Sequence, residues 1–157
     1  MTKRNFEDAI KTVLIDDTQK SALDFAAFLQ THEMSPNELD GNMWQVSHKD
    51  GGICYVYIDG AAQMPGPWTV WPDGDYTAEP EGFAIDKSIK ELALAHINIC
   101  GSCGGACSPG KAATVFGKEF DNISNYVLAF NNPKDEALEC LKELIKWRIT
   151  ILSSSQK

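Results

Sequence analysis

Residues 43–58 read MWQVSHKDGGICYVYI, and their pattern decides the fold class. Trp44, Val46 and His48 recur at every second position, which puts them on one face of an extended strand. Asp50-Gly51-Gly52 supplies a tight turn, after which Ile53, Tyr55 and Tyr57 alternate with Cys54, Val56 and Ile58. The segment predicts an antiparallel hairpin. Both faces of its second strand are apolar or aromatic, so that strand is expected at the centre of a sheet, covered on both sides, with Cys54 as a small core residue.

Outward from the hairpin, Pro65, Pro67 and Pro72 bracket Trp68-Thr69-Val70-Trp71, a third short strand, because proline is tolerated at strand ends but not within a central ladder. Thr114-Val115-Phe116 and Glu119-Phe120, on either side of Gly117-Lys118, suggest a second hairpin, and Tyr126 to Phe130 a further strand. Residues 36–42, rich in Pro, Asn, Asp and Gly, read as a loop. So does the acidic, Gly- and Pro-rich stretch 73–83, a candidate pocket wall.

The flanking segments carry helical spacing instead. Phe6, Ala9, Ile10, Val13 and Leu14 predict a first helix ending near Ile15, with a break at Asp16-Asp17-Thr18. Ser21 and Asp24 resemble a capping pair ahead of a second helix whose buried stripe is Ala22, Phe25, Ala26 and Leu29. Asp86 fits the N-cap of a helix over 87–98, with Ile89, Leu92, Ala93, His96 and Ile97 facing inward. Asn132-Pro133, followed by Asp135 and Glu136, opens a last helix over 133–150. Its buried face is Ala137, Leu138, Leu141, Leu144, Ile145 and Ile149, with Cys140 packed beside it.

The expected architecture is α+β: an antiparallel sheet of four to five strands, with N-terminal, middle and C-terminal helices packed mainly on one face. A chain of 157 residues with 43% hydrophobic content suits one domain over 1–157. Its parts are N-terminal helices within 1–35, a sheet over 43–130 with an inserted helix and a cysteine loop at 100–110, and the C-terminal helix.

Charge narrows the function classes. There are 22 acids against 14 bases, a formal net charge of −8, and no Lys or Arg falls between Asp50 and Asp86. Nucleic-acid surfaces need clustered cations, so DNA or RNA binding is not expected. The N-terminal MTKRNFEDAI lacks the apolar run of a signal peptide, and no apolar stretch approaches membrane-spanning length. The expected setting is the cytoplasm, where five cysteines read as core residues, metal ligands or redox groups before they read as disulfides.

Three of those cysteines fall in HINICGSCGGACSPGK, residues 96–111. Cys100, Cys103 and Cys107 are spaced C-x2-C-x3-C, and His96 precedes the first by four residues, one helical turn if the helix extends that far. A Cys3His set for zinc follows, with Cys54 or Cys140 as an alternative ligand: thiolates are soft anions, imidazole is borderline, and glycines let backbone N–H groups approach sulfur. An iron–sulfur cluster is a weaker form of the same reading. Two others stay open: a reactive thiol among Cys100, Cys103 and Cys107, and unligated cysteines in a tight glycine turn. Gly105 to Lys111 also fits G-x4-G-K. Ala112 replaces the magnesium-binding Ser or Thr, however, and the surrounding order runs helix to strand, so no phosphate loop is expected.

Two further constellations are candidates. Trp44, Trp68 and Trp71 on neighbouring strands would either line a pocket for a small-molecule ligand or form ordinary core. Glu119 and Asp121 would form a carboxylate pair on one strand face, or be simply solvated. His32 and His48 are isolated.

The combination CGSCGGACSPG followed by TVFGKEFDN resembles a group of small bacterial proteins common in anaerobic Firmicutes, over most of Trp44 to Arg148. The resemblance implies no activity and no residue role. The order of helix, hairpin, Trp-Thr-Val-Trp strand and later helix is also similar to small α+β domains that bind effectors beside transcription regulators, without a DNA-binding module of its own.

Overall fold

The structure, a computed structural model, describes residues 5–39, 42–49, 51–58, 67–73, 76, 82, 84–99 and 111–155. Helix α1 (Phe6–Val13) starts at Asn5, whose side-chain oxygen accepts the Glu7 and Asp8 N–H groups, and ends in extended backbone at Leu14. Helix α2 (Asp16–Thr31) begins where a break was expected. Aspartates complement the positive end of a helix dipole, so Asp16-Asp17 opens α2, and the interruption is confined to Leu14 and Ile15. The Gln19 side chain then caps α1 by donating to the carbonyls of Leu14 (2.8 Å) and Lys11 (3.2 Å).

Five strands form the first antiparallel sheet, in the order β1 (Ser35–Glu38), β2 (Met43–His48), β3 (Gly51–Ile58), β4 (Trp68–Pro72), β8 (Phe130–Asn131). The α+β architecture with N-terminal, middle and C-terminal helices is as expected, and β3 is the central strand. Strand β1 replaces part of the expected loop. Leu39 N–H donates to Met43 O at 2.7 Å, so residues 35, 37 and 39 direct their backbone groups to β2, and Pro36 lies where the missing N–H would face outward. Proline is tolerated there because this is an edge.

Pairing register assigns the faces. Trp44 lies opposite Val56, which lies opposite Val70, and Ile58 lies opposite Trp68. That face carries the helices: Phe6 meets Trp44 edge-on at 5.1 Å, and Phe25 meets Trp68 at 5.8 Å. Gln45, Tyr55 and Trp71 form one row of the opposite face.

A second antiparallel sheet of three strands, in the order β5 (Ile97–Ile99), β7 (Lys118–Leu128), β6 (Lys111–Val115), was not anticipated. The stretch expected near 119–120 and the first part of that expected over 126–130 are joined in β7, eleven residues long, while Phe130 pairs into the first sheet as part of β8. The β6–β7 turn is Phe116-Gly117, both with positive φ (49° and 82°), as a two-residue type I′ hairpin requires. Phe116 holds that conformation through its N–H bond to Tyr76 O and its ring contact with Tyr76.

Helix α3 (Lys87–Leu94) ends four residues short of the expected boundary, and Ile97–Ile99 is a strand instead. Helix α4 (Asp135–Ser155) starts two residues later and runs five further than expected. Lys134 O accepts from the Ala137 and Leu138 N–H groups, so Pro133 precedes the first turn. Helix α4 packs against α2, α3, β3 and β4, and its Leu138, Leu141, Leu144 and Ile145 join the same buried cluster as Phe25, Val56, Trp68 and Phe130. Lys142 bridges α4 to Asp24 of α2 at 2.7 Å. Among the described residues no helix is long and apolar enough to cross a membrane.

Candidate functional site

His96 sits where the two sheets meet. Helix α3 closes with the Ala95 and His96 N–H groups donating to Leu92 O and Ala93 O, and the chain then enters β5, Ile97 opposite Leu128. One residue past Leu128, Ala129 donates its N–H to His96 O at 2.9 Å, and Phe130 continues into the first sheet. The imidazole stacks on Phe130, centroids 4.3 Å apart and planes 21° from parallel. The ring is half-buried, and that burial lowers its pKa from the ordinary 6.5, so it is neutral near pH 7 with a lone pair available to a metal.

The expected relation of His96 to Cys100, one turn apart on a helix, does not hold, because α3 stops at Leu94. Cys100, Cys103 and Cys107 lie outside the described residues. The strands on either side of them are defined. Ile99 of β5 and Lys111 of β6 both lie opposite Ile123 of β7, from its two sides. Neighbouring strands are about 4.8 Å apart, so residues 100–110 join two points roughly 10 Å apart. Both flanking strands carry a register shift at that end, between Ile97 and Ile99 and between Lys111 and Ala113. Such irregularities end ladder pairing and re-aim the chain. Among the described residues, no group of three or more His, Cys, Asp or Glu side chains could hold a metal ion.

Cys54 and Cys140 are buried free thiols. Burial, with Asp73 nearby, pushes the Cys54 thiol far above its usual range. Burial, aided by Glu143, raises Cys140 to about 11, and its Sγ donates weakly to Ile89 O at 3.6 Å. Neither is a nucleophile at neutral pH.

The three tryptophans do not share a pocket. Trp44 and Trp68 lie under the helices at 1% and 0% exposure, whereas Trp71 is on the other face of the sheet. Strand alternation separates Trp68 from Trp71, three positions apart, and so does not let both face one cavity. The Trp68 indole N–H has no hydrogen-bond partner among the described residues. Glu119 is exposed on β7, and the Asp121 side chain lies outside the described residues.

One feature has no counterpart among the expected sites. Helices α2 and α3 both lie against α4 and leave between them an open groove of about 1170 Å³, with Ile89, Leu92, Leu138 and Cys140 among its apolar lining. Periodicity could have indicated only that each helix has a polar face, because which polar faces meet is a tertiary fact. Comparisons with protein-family models, curated proteins and solved structures found no match.

Proposed function

We propose that the chain is a metal-bearing binding module of the cytoplasm, with zinc held by Cys100, Cys103, Cys107 and His96. The observation that carries this reading is the placement of Ile99 and Lys111 on the two sides of Ile123. A segment of eleven residues with three thiols, anchored at two points roughly 10 Å apart, is long enough to bring those thiols to a common centre. Thiolate and neutral imidazole are the donors that zinc takes, and a closed tetrahedral set is a structural centre. Metal bound there would tie the end of β5 to the start of β6 and contribute its binding energy to folding. Signal sensing or small-ligand binding is the role that suits a closed centre, since no open coordination position is left for catalysis. The net charge of −8 argues against a nucleic-acid partner.

Elemental analysis of protein purified without chelator tests the reading. One zinc per chain is expected for the wild type and for Cys54→Ser, falling below half for Cys103→Ser and Cys107→Ser. Zinc-free wild type with one fast-reacting thiol would replace the metal centre with a thiol enzyme.

A further inference from the structure

The groove between α2, α3 and α4 has a composition that points to a partner independent of the zinc reading. Its half-buried wall is Ile89 and Leu92 of α3, and its floor is Leu138 and Cys140 of α4. Six carboxylates line it against Lys20 and Lys134. Two of the six, Asp24 and Glu139, are bound by Lys142. The other four, Asp17, Glu91, Asp135 and Glu136, have no ion-pair partner among the described residues.

First-turn positions explain three of those four locally, because Asp17, Asp135 and Glu136 complement the dipoles of α2 and α4. Glu91 is different. It is exposed in the last turn of α3, where a carboxylate faces the negative end of the dipole and helix physics favours a cation. An acid kept against its local preference, beside the partly exposed Ile89 and Leu92, is the type of conflict that marks a binding site. The groove is open to solvent, and its walls are helices that α4 holds apart, the setting into which an amphipathic helix lays its apolar face.

We infer that this groove docks a cationic amphipathic helix of a partner protein, its apolar face on the half-buried Ile89 and Leu92, and its lysines or arginines over Asp17, Glu91, Asp135 and Glu136. The rim steers the encounter through charge, and the apolar strip sets the register.

The test titrates the full chain with a labelled model peptide of about 18 residues, leucines at helical i, i+3, i+4 and i+7 spacing and lysines on the other face, followed by fluorescence anisotropy. A scrambled peptide of the same composition and Glu91→Gln/Glu136→Gln protein are the comparisons, with Asp8→Asn/Glu119→Gln as an off-groove control. Both altered pairs are at exposed positions, so the variants are expected to fold, which circular dichroism checks. Expected are about tenfold weaker binding for the groove variant, no change for the off-groove variant, at least tenfold weaker binding of the scrambled peptide, and loss of affinity at about 0.5 M salt. Equal binding of the two peptides, or equal weakening by the two variant pairs, would reduce the interaction to bulk attraction and overturn the inference. No binding of the patterned peptide at low salt would overturn it as well.

Discussion

His96 meets two separate requirements, one from packing and one from chemistry. Its ring closes the gap between the sheets by stacking on Phe130, and half-burial keeps it neutral. Because burial lowers its pKa below 6.5, the unfolded chain takes up the proton first as pH falls. Its contribution to stability is therefore complete above about pH 6.5 and is lost progressively towards the lower folded value. In denaturant unfolding with chelator present, wild-type stability is expected to fall as the pH drops below about 6.5. His96→Gln is expected to flatten that slope, and an unchanged slope would assign the pH dependence to other groups. Cys54 and Cys140 show the opposite use of a titratable side chain. Both were legible as core thiols because they sit on or beside apolar stripes, and burial keeps both protonated.

Among the elements, those with an unambiguous local pattern were readable in advance. Strand β2 alternates, α1 and α2 keep their apolar stripe, and β3 and β4 are short apolar runs bounded by turn residues and prolines. The misread boundaries have local causes. Strand β1, Ser-Pro-Asn-Glu, is built from residues that disfavour strands and forms because β2 offers it a ladder. Strand β5 is too short to show a period of its own, and Ile97 falls four residues after Ala93, so a helical stripe runs through it on paper. At the site, composition alone singled out the cysteines, but their tether across Ile123 depends on strand pairing between residues far apart in the chain. The groove was invisible because exposed charges on three separate helices read as solvated faces.

Strand β1 also carries a prediction. Its outward side lacks one donor at Pro36, which blunts the edge against pairing with another chain. Pro36→Val restores an outward N–H without disturbing the bonds to β2. Concentration-dependent self-association is expected to rise in sedimentation velocity, and a variant as monodisperse as wild type would show that the edge is protected by something else.

Across the whole molecule, the chain crosses from one sheet to the other at Ala129, directly beside His96. The larger sheet and its helices hold the buried aromatic core, while the smaller sheet presents the two ends of the cysteine-bearing segment. Both sheets bury apolar side chains in one core, the second through Val115, Ile123 and Leu128, and under the proposed zinc reading the second sheet would also draw stability from what the thiols bind. Metal removal should therefore loosen β5 to β7 before it disturbs β2 to β4.

A stepwise thiol count reads that dependence most directly. Protein purified without chelator is exposed to an alkylating reagent, then to chelator, then to denaturant, and labelled cysteines are counted by mass at each step. With zinc held as proposed, none is labelled at first, three after chelation, namely Cys100, Cys103 and Cys107, and all five after denaturation, when Cys54 and Cys140 become accessible. Immediate labelling of those three cysteines in the native protein, with no further change on adding chelator, would contradict the proposal.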